Sequence, residues 1–118
     1  QTFGHAMGAT HPETFTSIAG VGDLDVTCRS IHGRNRRFGR DIVEKGILSQ
    51  FKDAEDLVAR IKLVGYLPEG APASIYVHKL AAKRHISMPI CKGVYRILNR
   101  ELEPKEFLEE YLNGMAGK

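Results

Sequence analysis

Gly20-Val-Gly-Asp-Leu-Asp-Val-Thr-Cys28 is the stretch that decides the fold class. Within it Leu24, Val26 and Cys28 alternate with Asp25 and Thr27, a period of two that by itself describes a half-buried strand. No second strand is in view elsewhere, and a lone one would leave its backbone N–H and C=O groups unpaired. The stretch is therefore read as helix, and the chain as all-α. Gly20-Val-Gly22 also imitates the opening of a dinucleotide-binding fingerprint. It lacks the third glycine, the preceding strand and the downstream acid that such a site needs, so that reading fails.

Outward from this stretch the helical period dominates. On the N-terminal side, Thr10-His-Pro-Glu13 offers a capping hydroxyl with a Glu three residues on, and Phe15, Ile18 and Ala19 would form one face. On the C-terminal side, Asp53 opens a helix with Leu57, Val58, Ile61 and Val64 inward. Gly65-Tyr-Leu-Pro68 breaks the pattern. A further helix starts at Gly70-Ala-Pro72, with Ala73, Tyr76, Val77, Leu80 and Ala81 as its expected core face. Pro89 suits a first helical position, and Ile90, Val94, Ile97 and Leu98 follow as a stripe. Glu103-Pro104 opens the last helix, with Phe107, Leu108, Tyr111 and Leu112 inward, Asn113-Gly114 as its end and a frayed tail from Met115. The expectation is a single compact multi-helix domain over residues 1–118.

Composition narrows the function classes. The chain has 118 residues with 17 Lys and Arg against 14 Asp and Glu, a net charge of +3, far from that of a dedicated nucleic-acid coat. With 42% hydrophobic and 26% charged residues it is ordinary globular material, able to bury one core without disulfides. No apolar run is long enough for a membrane span. Two cysteines, Cys28 and Cys91, make no disulfide framework and point to a reduced, intracellular compartment. Cys28 reads as a small core-facing thiol. The five histidines and two cysteines follow no metal-ligand spacing, so no metal site is expected. The first residue is Gln1 and no targeting signal is visible, so the chain reads as a piece of something longer.

The chemistry concentrates between Arg29 and Arg40. Arg29, Arg34, Arg36, Arg37 and Arg40 occur there without an acidic residue among them, and Gly33 and Gly39 bracket the densest part. A guanidinium fork suits phosphate oxygens, a glycine lets backbone approach an anion, and Asn35 adds a neutral donor. A solvated helix face would carry the same charges. Asp23 nearby speaks for a site, because a carboxylate beside an anion is costly unless it holds a hydroxyl or orients a base. Glu69 either caps the helix that follows it or reaches a ligand hydroxyl.

Taken together, Ala19-Gly-Val-Gly-Asp-Leu24, Thr27-Cys28 and Arg34-Asn-Arg-Arg-Phe-Gly39 resemble the signature of the NAD(P)-dependent glycerol-3-phosphate dehydrogenases. Gly4 to Ala9, Glu69-Gly70, Met88-Pro-Ile90 and Val94-Tyr95 extend the resemblance over nearly the whole chain. It implies the C-terminal helical substrate-binding domain of these enzymes, a fold of the 6-phosphogluconate dehydrogenase-like type, and helix over Leu24–Cys28. It also implies an N-terminal Rossmann domain absent from this chain, which would bind most of the NAD or NADP. The implied reaction interconverts sn-glycerol 3-phosphate and dihydroxyacetone phosphate by hydride transfer, in the cytoplasm, feeding glycerophospholipid synthesis.

By the same resemblance, Asp23, Gly33, Arg34 and Asn35 bind substrate, and Arg34, Leu67 and Glu69 touch the cofactor. The catalytic lysine lies upstream of Gly22-Asp-Leu24 in that family. No Lys precedes Asp23 here, so the chain alone is expected to be inactive, with Asp23 in support of the missing base. The implied partners are sn-glycerol 3-phosphate, dihydroxyacetone phosphate and the chain's own Rossmann domain, with a homodimer left open. Many bacterial members carry Ser where this chain has Gly33, which would reduce a hydroxyl contact to a backbone N–H. The stretch from Gly39 to Glu69 is longer than usual, and Pro68 stands where an aliphatic residue is common. A different class of reading, a small basic helical module that binds nucleic acid through Arg29–Arg40, predicts basic and aromatic residues spread along a groove. Here they sit in one short segment with Phe38 as its one aromatic.

Overall fold

A computed structural model describes residues 1–116, and among them every regular element is helical. Short α1 (Thr2–Ala6) leads to a 3₁₀ turn at Pro12–Thr16 and a π turn at Ile18–Gly22. Helix α2 (Asp23–Arg29) follows directly, then α3 (Arg34–Lys45), α4 (Ala54–Ala59), α5 (Gly70–Lys83), α6 (Pro89–Leu98) and α7 (Pro104–Ala116). The Leu24–Cys28 stretch is helix, as its lack of a pairing strand requires.

Each boundary has a local cause. Helix α3 ends at Gly46, whose φ of 59° is left-handed and natural to glycine. Asp53 caps α4 by accepting the Asp56 N–H at 2.8 Å. The expected continuation to Val64 is interrupted at Arg60 and resumes as a 3₁₀ turn over Ile61–Val64, which Gly65 closes at φ 81°. Asp56 ties the interruption to the chain before it: it accepts the Lys52 N–H at 2.9 Å and pairs with Arg60, which also donates to the Gln50 carbonyl at 2.8 Å. Pro89 and Pro104 each stand at the first position of their helices, where a missing N–H costs nothing.

The core lies between α3, α4, α5 and α6. Phe38, Leu48, Phe51, Ala54, Leu57, Ala71, Ile75 and Leu98 form it, with Ala54 and Leu57 wholly enclosed. Burying one such Leu is worth about 1.5–3 kcal/mol. The Asn99 side chain ties the end of α6 to the start of α4 by accepting the Ala54 N–H at 2.9 Å. His78 of α5 stacks flat on Tyr95 of α6, centroids 4.0 Å apart. Gly93 is buried, and a Cβ there would fall 2.1 Å from the Phe107 ring, so this glycine is what lets α7 lie on α6.

Several expectations fail in instructive ways. Helix α5 buries Ala81 as expected and leaves Val77 and Leu80 partly buried, but it also buries Ala71, Ser74 and Ile75 while Ala73 and Tyr76 face solvent, so its core face is turned from the one expected. On α7, Phe107 and Tyr111 turn inward but Leu108 and Leu112 stay exposed. That helix passes through Asn113-Gly114 to Ala116, and the rest of the expected frayed tail lies outside the described residues. Ile90 is exposed. Thr10 caps nothing among the described residues; Ser17 does the capping, its Oγ accepting the Ala19 N–H at 3.2 Å. Phe15, Ile18 and Ala19 are exposed, and so is Cys28, which is no core thiol.

Candidate functional site

The site grows from the first turn of α3. Gly33 precedes it in a non-helical conformation, and Arg34 and Asn35 are the first two helical residues, with no acidic residue in that turn. Unpaired N–H groups and the positive end of the helix dipole therefore combine with a guanidinium and an amide, a setting that favours an anion.

The start of α5 meets this turn. Asn35 Oδ1 accepts the Gly70 backbone N–H at 2.8 Å, and Arg34 Nη2 lies 2.5 Å from Glu69 Oε1. Gly70 eases the first contact, since a Cβ there would sit a tight 3.1 Å from Asn35 Oδ1. With its oxygen committed to α5, the Asn35 amide is oriented to offer its NH₂ as a donor. Arg34 and Glu69 are both half-exposed, so the guanidinium keeps N–H groups open to a ligand. An apolar cavity of about 300 Å³, walled by Phe38, Ile42, Val94 and Ile97, opens beside Asn35 and Gly70 and gives the site a low-polarity flank.

A second group of charges lies one to two turns along α3. Asp41 is buried; its Oδ2 accepts the Tyr66 hydroxyl at 2.7 Å and its Oδ1 lies 2.8 Å from Lys45 Nζ. The Lys45 ammonium, then the Tyr66 hydroxyl, hold the Asp41 carboxyl below the usual carboxylate range, against the opposing effect of burial. Arg37 covers the Tyr66 ring at 4.3 Å from its centroid. Burial and the adjoining carboxylate push the Tyr66 phenol up to about 12.

The arginines thus divide their work. Arg29 pairs with Asp25 at 2.8 Å, Arg36 donates to the Arg29 carbonyl at 2.8 Å, and Arg37 serves Tyr66 and Asp41. Of the residues marked in the sequence, Arg34, Asn35 and Glu69 come together. Leu67 lies exposed in the same segment as Glu69. Asp23 opens α2, exposed, and among the described residues no hydrogen bond or ion pair joins it to Arg34, Asn35 or Glu69. The Gly33 N–H donates to the Ser30 carbonyl at 3.2 Å, closing the turn before α3. A side chain at 33 would place its Cβ 3.3 Å from that carbonyl, so a serine here would need the turn to give slightly. Asp41, Tyr66 and the role of Gly70 escaped the sequence reading. The one trace of them was Asp41 spaced four residues from both Arg37 and Lys45.

No group of His, Cys, Asp and Glu among the described residues could hold a metal ion. For a nicotinamide dinucleotide, the half-exposed Arg34–Glu69 pair and exposed Leu67 fit one margin of the molecule, not a phosphate cradle.

Comparison with known proteins bears on this arrangement directly. Residues 1–109 match the family described as the NAD-dependent glycerol-3-phosphate dehydrogenase C-terminus. The chain belongs to this family. A glycerol-3-phosphate dehydrogenase [NAD(P)+] of Treponema denticola is 60% identical over 114 residues, covering 97% of this chain and 32% of that protein. Its counterpart in Treponema pallidum subsp. pallidum is 59% identical over 112 residues, with 95% and 32% covered. One from Salinibacter ruber is 36% identical over 113 residues, with 96% and 30% covered. No solved structure matches. This member of the glycerol-3-phosphate dehydrogenase C-terminal family spans about a third of the length of these relatives.

Proposed function

We propose that this chain, residues 1–118, is the substrate-binding helical part of a longer NAD(P)-dependent dehydrogenase that interconverts sn-glycerol 3-phosphate and dihydroxyacetone phosphate. It would act in the cytoplasm and feed glycerophospholipid synthesis. The observation that carries the reading is the pairing of two helix starts, in which Glu69 and Gly70 of α5 hold Arg34 and Asn35 of α3 at the mouth of an anion-favouring turn.

Arg34 and Asn35 would bind the substrate phosphate, one as a charged fork and one as a neutral donor. That remote anchor holds the carbon that exchanges hydride in place, so binding energy at the phosphate appears in kcat/KM. The nicotinamide, when bound, supplies the hydride acceptor or donor. Arg34, Leu67 and Glu69 would hold its margin, and a domain preceding this chain would hold the rest. Asp23 would contact the substrate hydroxyls once the base lysine from that domain is in place. No helix among the described residues is long and apolar enough to cross a membrane.

The test is oxidation of NADH and NADPH by the full-length protein with dihydroxyacetone phosphate, beside Arg34→Ala. The variant should lose on the order of 3 kcal/mol of transition-state stabilisation, roughly a hundredfold in kcat/KM. Near wild-type efficiency in the variant would remove Arg34 from the phosphate site. The chain alone should show no turnover with either cofactor.

A further inference from the structure

We propose that Tyr66 and Asp41 form a latch that seats the segment 65–70 against α3 and so positions Arg34 and Asn35 for the phosphate of the substrate. The proposal rests on the function proposed above and adds two positioning residues to it.

The geometry is a three-point seam. Arg34, Arg37 and Asp41 follow one another at i, i+3 and i+7 and lie on one stripe of α3. The segment from Tyr66 to Gly70 runs back along that stripe: Tyr66 is held at the level of Arg37 and Asp41, Glu69 at Arg34, and Gly70 at Asn35. The contacts at the site end are weak. Arg34 and Glu69 are a half-exposed pair, of a kind that contributes little, and the other polar contact is a single hydrogen bond. At its other end the segment starts from Gly65, with its backbone at φ 81°. Two side chains hold it in between: Pro68 is wholly buried, and the Tyr66 ring, with Arg37 over its face and its hydroxyl donating at 2.7 Å to a buried carboxylate, fixes where the segment lies along α3.

That carboxylate argues for placement over stability. Asp41 is one of two buried polar or charged side chains in the chain's described part, the other being Ser74. A buried charge kept by partners on several sides is rarely a better stabiliser than an apolar side chain of the same size, but it dictates where its donors must sit. Tyr66 donates to one Asp41 oxygen, the Lys45 ammonium pairs with the other at 2.8 Å, and Arg37 lies at 3.7 Å. The Tyr66 hydroxyl is therefore directed to one point on α3, and the rest of the segment is in register as a consequence.

The experiment is Tyr66→Phe in the full-length protein, read in two ways. Hydrogen exchange of the Gly70 amide, followed by NMR, should quicken by on the order of tenfold, because the seam opens at its site end. KM for dihydroxyacetone phosphate should rise by on the order of tenfold, with kcat at saturation changed far less. On an Asn35→Ala background, Tyr66→Phe should add little to KM. An unchanged Gly70 exchange rate overturns the latch whatever the kinetics show. Faster exchange with an unchanged KM, or a full additive effect on the Asn35→Ala background, overturns its link to the site. A wild-type protein without turnover defeats the proposed function separately, and Gly70 exchange then decides the latch by itself. Should Tyr66→Phe fail to fold, Arg37→Gln on an exposed side chain loosens the same ring and should move Gly70 exchange in the same direction; no movement overturns the latch.

Discussion

Residues 1–33 and residues 34–116 use similar amino acids to opposite ends. The second region turns its apolar side chains into a core shared by α3, α4, α5 and α6. The first buries none: Ile18 is 91% exposed, and Leu24, Val26 and Ile31 are all turned outward. Its close approaches are built on glycine, against a ring at one point and against backbone at another. A Cβ on Gly4 would lie 2.4 Å from the Phe15 ring, and one on Gly20 would lie 2.3 Å from the Phe15 carbonyl oxygen. Apolar periodicity announces that a face must be covered. What covers it is a separate question, and for the first region no side chain of the described residues does so.

The sharpest way to press that contrast is a pair of leucines. Leu57→Ala should cost about 3 kcal/mol in denaturant unfolding, since a fully enclosed side chain leaves a cavity. Leu24→Ala should stay within about 0.5 kcal/mol in the chain alone. In the longer protein Leu24→Ala should cost more than about 1 kcal/mol, if the outward face is covered there. Equal small losses in both settings would break the comparison.

A pair of glycines gives a smaller effect of a different kind. Gly93→Ala should destabilise the second region by roughly 1–3 kcal/mol, because Phe107 must swing away from α6. Gly20→Ala meets backbone, which cannot swing. It should leave unfolding of the core almost unchanged while lowering turnover of the full-length protein, because the π turn that ends at Asp23 is displaced.

The smallest effect is expected in acid. Arg60, with help from the Lys52 N–H, lowers Asp56 to about 2 from an ordinary 3.8. A carboxylate depressed on folding stabilises the folded chain fully above 3.8, and that contribution disappears as pH falls towards about 2. Asp56→Asn should therefore flatten the stability profile across that window and leave the slope above pH 5 unaltered.

Much of the second region was legible in advance. Pro89 and Pro104 as helix openers, Asp53 as a cap and Gly65 to Pro68 as a break all appear where local chemistry requires them. The facing of α5 was not, because Ala71-Pro-Ala-Ser-Ile-Tyr offers apolar atoms on every side and only the neighbours decide which are covered. Tyr76 looks like core and is 73% exposed, whereas Ser74 looks like surface and is buried, its hydroxyl donating to the Ala71 carbonyl at 2.8 Å. At the site, the Arg34-Asn35 pair and Glu69 stood out through charge and motif. The seam that joins them did not, because Asp41 and Tyr66 are 25 residues apart and acquire their meaning only when the break folds back on α3.

The outward face of the first region also bears on how the protein is made. Synthesis runs from the N-terminus at roughly 5–20 residues per second. Ile18, Leu24, Val26 and Ile31 therefore emerge several seconds before Leu98 and Leu102, the last members of the core, have left the ribosome. Even a finished core gives them no shelter, so their time in contact with chaperones is set by whatever surface precedes or meets them. A nascent chain arrested once residue 33 has cleared the ribosome should for that reason be a better chaperone client than its length alone would suggest.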